Sequence, residues 1–186
     1  MRLQSILAAI VMMVTAPAAM ALDVGPAVGA QIPTFHARDA DAKPVEWKDV
    51  AGPKGTVLVF FRSAKWCPFC QAQLIALRDA AAPLTQRGYK LVAISYDAPE
   101  VLTDFAKRRD IPYTLLSDKG SVMIDAFKLR DPQYPADSMA FGVPQPSIFV
   151  ISPQGVVQAK LAEEGYKNRP PVDTVIGAVD KVLAAH

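Results

Sequence analysis

The sequence predicts an α/β protein with a central mixed sheet flanked by helices, and three observations predict it. The continuous β-branched and aromatic run Thr56-Val57-Leu58-Val59-Phe60-Phe61 has the character of a strand buried on both faces. From there to about residue 127, strand-like and helix-like segments alternate, the pattern of parallel βαβ units. Near the C-terminus two short strand patterns flank Ser152-Pro153-Gln154-Gly155, whose proline and glycine suit a type I turn, so an antiparallel hairpin follows.

The first element is expected to be an N-terminal hairpin. Extended stretches at 32–37 and 45–47 flank the polar turn Arg38-Asp39-Ala40-Asp41, and Pro44 marks an edge because proline cannot donate to an inner ladder. The run at 56–61 follows Gly52-Pro53-Lys54-Gly55 and belongs at the centre. After Cys67, Leu74, Leu77, Ala81 and Leu84 recur at helical spacing up to Gly88, with Pro83 expected to kink or shorten the helix. A strand at 90–95, a helix at 99–109, a strand at 113–116 and a short helix at 121–127 complete the alternation. Residues 129–139, broken by Asp131-Pro132-Gln133-Tyr134-Pro135, read as a surface loop beside the active site. The hairpin strands fall at 147–151 and 156–161. After Pro170-Pro171, a helix at 172–184 sets Val175, Ile176, Val179, Val182 and Leu183 largely along one side.

With 186 residues, 51% of them hydrophobic, the chain buries one respectable core, which argues for one domain and against disorder. Lys plus Arg number 20 against 18 for Asp plus Glu, without a like-charge run, so nucleic acid is not an expected partner. Met1-Arg2, an apolar stretch at 3–14 and then Ala19-Met20-Ala21 fit an export signal over residues 1–21, leaving residues 22–186 as the domain. The apolar stretch is shorter than the ~18 residues that span a bilayer, so an uncleaved anchor is the weaker reading and the only route to the membrane. The expected location is the periplasm, or otherwise outside the cell.

Export matters for the two cysteines, Cys67 and Cys70, because an oxidising compartment lets disulfides persist. A bridge across three positions closes too small a loop to stabilise a fold, which points to redox chemistry. A C-x-x-C pair directly after a buried strand and opening a helix is a strong signal by its context. There the Cys67 thiolate faces unpaired backbone N–H groups and the positive helix end, which lower a cysteine pKa into the range of about 3.5–7.5. Arg62 and Lys65 are the nearby cations. Pro68 suits the first helical position, Phe69 adds bulk without charge, and Cys70 lies one turn further in. Cys67 is therefore assigned as nucleophile and Cys70 as the resolving cysteine that attacks a mixed disulfide. Half of a metal site is the competing reading, but it needs further ligands and only His36 and His186 exist. Neither histidine is given a role, and no cofactor or metal is expected. Trp66 is either a wall of a peptide-binding surface or ordinary packing; the wall is favoured, since an exposed site needs apolar contact.

Val57-Leu58-Val59-Phe60-Phe61, Trp66-Cys67-Pro68-Phe69-Cys70 and Pro146-Ser147-Ile148-Phe149-Val150-Ile151 together resemble the thioredoxin superfamily, over about residues 28–183. The extra βα unit between Cys67 and Pro146, with the N-terminal hairpin, resembles the alkyl hydroperoxide reductase and thiol-specific antioxidant branch, and within it peroxiredoxin-like exported proteins. The resemblance implies a thioredoxin-like fold with an inserted βα unit. It also implies a cis-proline facing the pair, with Gln145-Pro146 the candidate and Pro144 its competitor. True peroxiredoxins carry P-x-x-x-T/S-x-x-C, where this chain has Phe60 and Ala64, and an arginine near the later strand, where it has Pro146. Ser63 would restore the hydroxyl if the loop, one residue longer than in thioredoxins, shifts the register. Phe60 or Phe61 also occupies the region where thioredoxins keep a buried acid that takes the proton of the resolving cysteine.

The leading expectation is a periplasmic thiol-disulfide oxidoreductase acting on protein thiols or disulfides with a redox-partner protein, its direction open. The alternatives are a peroxiredoxin-like thiol peroxidase, with Cys67 peroxidatic, Cys70 resolving and peroxide as substrate, and a non-catalytic metal-handling module.

Overall fold

The computed structural model describes residues 23–185, so the expected export signal and His186 lie outside the described residues. The hairpin strands β1 (His36–Arg38) and β2 (Pro44–Glu46) pair antiparallel, with β2 at the sheet edge as Pro44 requires. The extended stretch is shorter than its sequence pattern. Glu46 ends it because its N–H is accepted by Asp49 Oδ2 at 2.9 Å, starting the helical turn α1 (Trp47–Val50).

The remaining elements are β3 (Gly55–Phe60), α2 (Pro68–Ala76), α3 (Arg78–Gln86), β4 (Tyr89–Ser95), α4 (Pro99–Arg109), β5 (Thr114–Ser117), α5 (Val122–Ala126), β6 (Ser147–Ile151), β7 (Val157–Leu161) and α6 (Val172–Ala184). One seven-stranded sheet runs in the order β2-β1-β5-β4-β3-β6-β7. Its inner strands β3, β4 and β5 are parallel, while β6 and β7 return antiparallel. At the β6–β7 turn Gly155 donates to Ser152 O at 2.9 Å with φ +84°, a conformation glycine adopts without strain.

Successive residues of β3 point to opposite faces. Val57 and Val59 join the core under α2, α3, α4 and α6, while Leu58 and Phe60 pack with Met123, Phe127 and Phe149 on the other side. The helix after Cys67 breaks at Leu77 rather than at Pro83, which sits inside α3. A proline lacks its own N–H and pushes away the carbonyl four residues earlier, here Asp79, so the disturbance falls on the preceding turn. Among the described residues no helix is long and apolar enough to cross a membrane.

Candidate active site

The parallel strand β3 delivers Phe61 and then a tight loop, 62–66, to the C-terminal end of the sheet. Cys67 caps α2: its Sγ accepts the Cys70 N–H at 3.2 Å, and Pro68 occupies the first turn, where a missing N–H costs nothing. The two cysteines are joined in a disulfide with their Cα atoms 5.3 Å apart. Both sulfurs are covered, Cys67 being 2% and Cys70 0% exposed, whereas Phe69 between them is 38% exposed. Access to Cys67 therefore runs past the exposed Pro68 and Phe69. Next to it a groove of about 560 Å³, lined by Phe69, Gln73, Leu77, Arg169 and Val172, offers an apolar floor with polar edges.

The loop before Cys67 is held from below by Asp97, just past the end of β4. Asp97 Oδ2 accepts the Ala64 N–H at 2.6 Å and the Ser95 hydroxyl at 3.1 Å, and Oδ1 accepts the Ser63 hydroxyl at 2.8 Å. Ser63 Oγ in turn accepts the N–H groups of Lys65 and Trp66, at 2.9 and 3.3 Å. Burial raises the Asp97 pKa above the usual carboxylate range, opposed by these hydrogen bonds and by Lys65. The Ser63 hydroxyl is thus committed to the loop and to Asp97. No motif marks Asp97 in the sequence; its only signal is an acid at the carboxyl end of an inner parallel strand, where open α/β sheets place their sites.

Above the pair lies a cationic cluster. Arg62 is 3% exposed, and its Cζ stands 5.1, 4.8 and 4.5 Å from the ring centroids of Trp66, Tyr134 and Tyr166. Its Nη2 donates to Tyr134 Oη at 2.7 Å. Trp66 is half-buried under this cation and donates its indole N–H to Tyr96 Oη at 2.9 Å, so it is both a wall and a packed strut. Arg169, from the segment after β7, reaches Cys70 Sγ with Nη2 at 3.5 Å and donates Nη1 to the carbonyls of Tyr166 and Asn168. Burial, with the charge of Arg62 adding to it, lowers the Arg169 pKa to about 10, which still leaves a cation at neutral pH. Tyr134 brings the proline-broken 129–139 segment to the site, as its sequence suggests, although Leu129 and Asp131 are buried rather than on the surface.

The cis expectation at Gln145-Pro146 is overturned: every peptide bond among the described residues is trans. The chain entering β6 is already strand-like, with Asp131 N donating to Val143 O at 2.9 Å, Gln145 N to Leu129 O at 2.7 Å, and Arg130 bridging Pro144. It runs straight into Ser147, which pairs with Phe60, so no reversal is needed at Pro146. Gln145 and Pro146 still reach the active end of the sheet, where they line a separate hollow of about 210 Å³ with Asp131 and Tyr166. His36 lies on β1, with β5 and β4 between it and β3. Phe60 and Phe61 are fully buried, and Phe60 packs on Phe127 at 4.8 Å, so no carboxylate occupies that place.

A two-cysteine pair at the N-terminus of a helix that leaves an inner parallel strand, in this sheet order, defines a thioredoxin-like redox fold. Residues 28–160 match the model of the AhpC/TSA family, and the chain belongs to that family, in the peroxiredoxin-like branch of the thioredoxin superfamily. The chain is 34% identical over 131 residues to the chloroplastic peroxiredoxin Q of Sedum lineare, covering 70% of this chain and 66% of that protein. It is 25% identical over 143 residues to the thiol-disulfide oxidoreductase ResA of Bacillus cereus, covering 76% of this chain and 73% of ResA. The crystal structure of peroxidoxin BcpB from Mycobacterium tuberculosis shares the fold, with a TM-score of 0.66 at 23% identity over 84% of this chain and 94% of that one. The chain spans 55% to 66% of the length of the first peroxiredoxin Q relatives.

Proposed function

We propose that this protein is an exported thiol-disulfide oxidoreductase that exchanges disulfides with protein cysteines through Cys67 and Cys70. The observation that carries it is the Cys67–Cys70 disulfide at the start of α2, where the Cys70 N–H already points at Cys67 Sγ. On reduction the same N–H and the helix end stabilise a Cys67 thiolate. That thiolate attacks one sulfur of a target disulfide, the other leaves as a thiolate, and Cys70 then displaces the target from Cys67. The groove beside Phe69 suits a peptide flank, and a redox-partner protein resets the pair. The similarity to ResA supports this reading. Export is supported by the sequence of residues 1–21 and is tested by fusing them to a reporter that works only outside the cytoplasm.

A second reading, thiol peroxidase with Cys67 as the peroxidatic cysteine, is favoured by the similarity to peroxiredoxin Q. Against it stands Ser63, whose hydroxyl is engaged by Asp97. The deciding experiment gives the reduced protein hydrogen peroxide and, separately, a disulfide substrate, and compares oxidation rates. Exchange is expected to be the faster reaction, absent in Cys67→Ser and arrested as mixed disulfides on Cys67 in Cys70→Ser. Faster oxidation by peroxide selects the peroxidase, and equal trapping by both single variants removes the nucleophile assignment.

A further inference from the structure

A resolving cysteine must lose its proton before it can attack, and the place where a thioredoxin-like fold would hold a base is filled here by Phe60 and Phe61. The buried carboxylate that holds the active loop, Asp97, already accepts from Ser63, Ala64 and Ser95. What touches the Cys70 sulfur is a cation, Arg169 Nη2 at 3.5 Å. Arg62 stands close enough for its charge to act on Arg169. Among the described residues neither arginine forms an ion pair, and the Nε of each is buried without an acceptor. The other titratable groups around them are Tyr134 and Tyr166, whose rings stack on Arg62, Tyr96, which feels the charge of Arg62, Glu163 and Lys167, which share the groove with Arg169, and Asp131 and Glu164, which share the neighbouring hollow with Tyr166 and form no ion pair with either arginine. Glu163 makes no ion pair with Arg169. Two guanidinium groups, one buried and one half-buried, without a carboxylate partner favour an anion beside them, and the sulfur in contact can become one.

We propose that Arg169, with Arg62 beside it, stabilises the Cys70 thiolate once Cys67 is held uncharged in the mixed disulfide, and so activates the resolving cysteine without a protein proton acceptor. This rests on the thiol-exchange reading of the pair. In the mixed disulfide the Cys70 thiolate attacks Cys67 Sγ. The Cys67–Cys70 bond forms, the bond from Cys67 to the target sulfur breaks, and the electron pair leaves on that sulfur, which takes a proton from solvent. The target cysteine is reduced, the pair is oxidised, and no proton leaves Cys70 in the step. Charge stabilisation thus takes over the role that a buried base has elsewhere.

The test titrates Cys70 as the only thiol, in Cys67→Ser, by its ultraviolet thiolate absorbance. It is expected to ionise well below the ~8.5 of an unperturbed cysteine. Adding Arg169→Met should raise that midpoint by about one pH unit, a tenfold loss of thiolate at pH values below both midpoints, and Arg169→Lys should recover part of it. Resolution of a mixed disulfide between Cys67 and a small thiol should slow roughly tenfold in Arg169→Met at pH values below both midpoints, with the gap closing as rising pH ionises Cys70 in both proteins. A Cys70 midpoint at or above ~8.5 with Arg169 in place overturns the proposal, and needs no arginine variant to fold. So does a midpoint that Arg169→Met leaves unmoved. Because a lone thiol titrates whatever the substrate, these failures are distinct from failure of thiol exchange itself, which shows as absent turnover with disulfides.

Discussion

Two buried charged regions flank the helix start that carries the cysteines, and the fold completes one and leaves the other open. Below the loop, Asp97 accepts three hydrogen bonds and passes its hold through Ser63 to Lys65 and Trp66. Above it, Arg62 and Arg169 are packed against aromatic rings and a sulfur, without a carboxylate partner. A satisfied buried network sets geometry and contributes stability, whereas an uncompensated one stores electrostatic potential that only the chemistry relieves. The two regions should therefore respond to mutation with opposite signs.

The sharpest break is Asp97→Ala, which strands the Ser63, Ala64 and Ser95 donors in a buried site. It is expected to cost about 3 kcal/mol by chemical denaturation and to slow exchange because the loop before Cys67 loses its anchor. Retention of full stability would show that Asp97 is not the anchor.

Arg62→Met should do the reverse. Replacing an uncompensated buried cation by an apolar side chain of similar length leaves the oxidised protein within about 1 kcal/mol of wild type, or more stable. The reduction potential, measured against glutathione, should fall by roughly 30 mV for each tenfold of thiolate stabilisation lost. A variant that destabilises the oxidised protein without moving the potential would make Arg62 a packing residue only.

The pH dependence separates the regions more gently. Burial holds the folded Asp97 pKa above the ~3.9 of an unfolded aspartate, so its stabilising form is the protonated one. That contribution is fully present below about pH 4 and is lost as pH rises through the raised folded value. Denaturation midpoints of wild type should show this decline over that window, and Asp97→Asn should flatten it. At the small end, Asp180→Asn removes the exposed pair with Arg87, Nε to Oδ1 at 2.6 Å, and is expected to leave the midpoint unchanged in moderate salt.

The periodic parts of the chain were legible because they are local. Alternating faces in β3, the apolar stripe of α6, the Ser152–Gly155 turn and the Pro68 start of α2 each follow from residues within one element. The Cys67–Cys70 pair was legible for the same reason, since strand, loop and helix start adjoin in sequence. Where competition between neighbouring turns decides, the pattern was less reliable: the helix breaks at Leu77 although the proline stands at 83, and Trp47 is captured by the Glu46–Asp49 cap.

By itself, then, the sequence determined the alternating strands and helices from β3 onward, the edge position of Pro44, the place of Cys67 and Cys70 at a helix start, and the phenylalanines rather than an acid at positions 60 and 61. The tertiary structure decided what surrounds the sulfurs. Arg169 reaches Cys70 across 99 positions of chain and Ser63 meets Asp97 across 34, distances at which no local periodicity carries information. The trans path through Gln145 and Pro146 likewise depends on Leu129 and Asp131 pairing with Gln145 and Val143 in the segment that enters β6. Such contacts form only when β3, β4 and β6 lie side by side, because the sheet brings together chain segments that loops otherwise hold far apart.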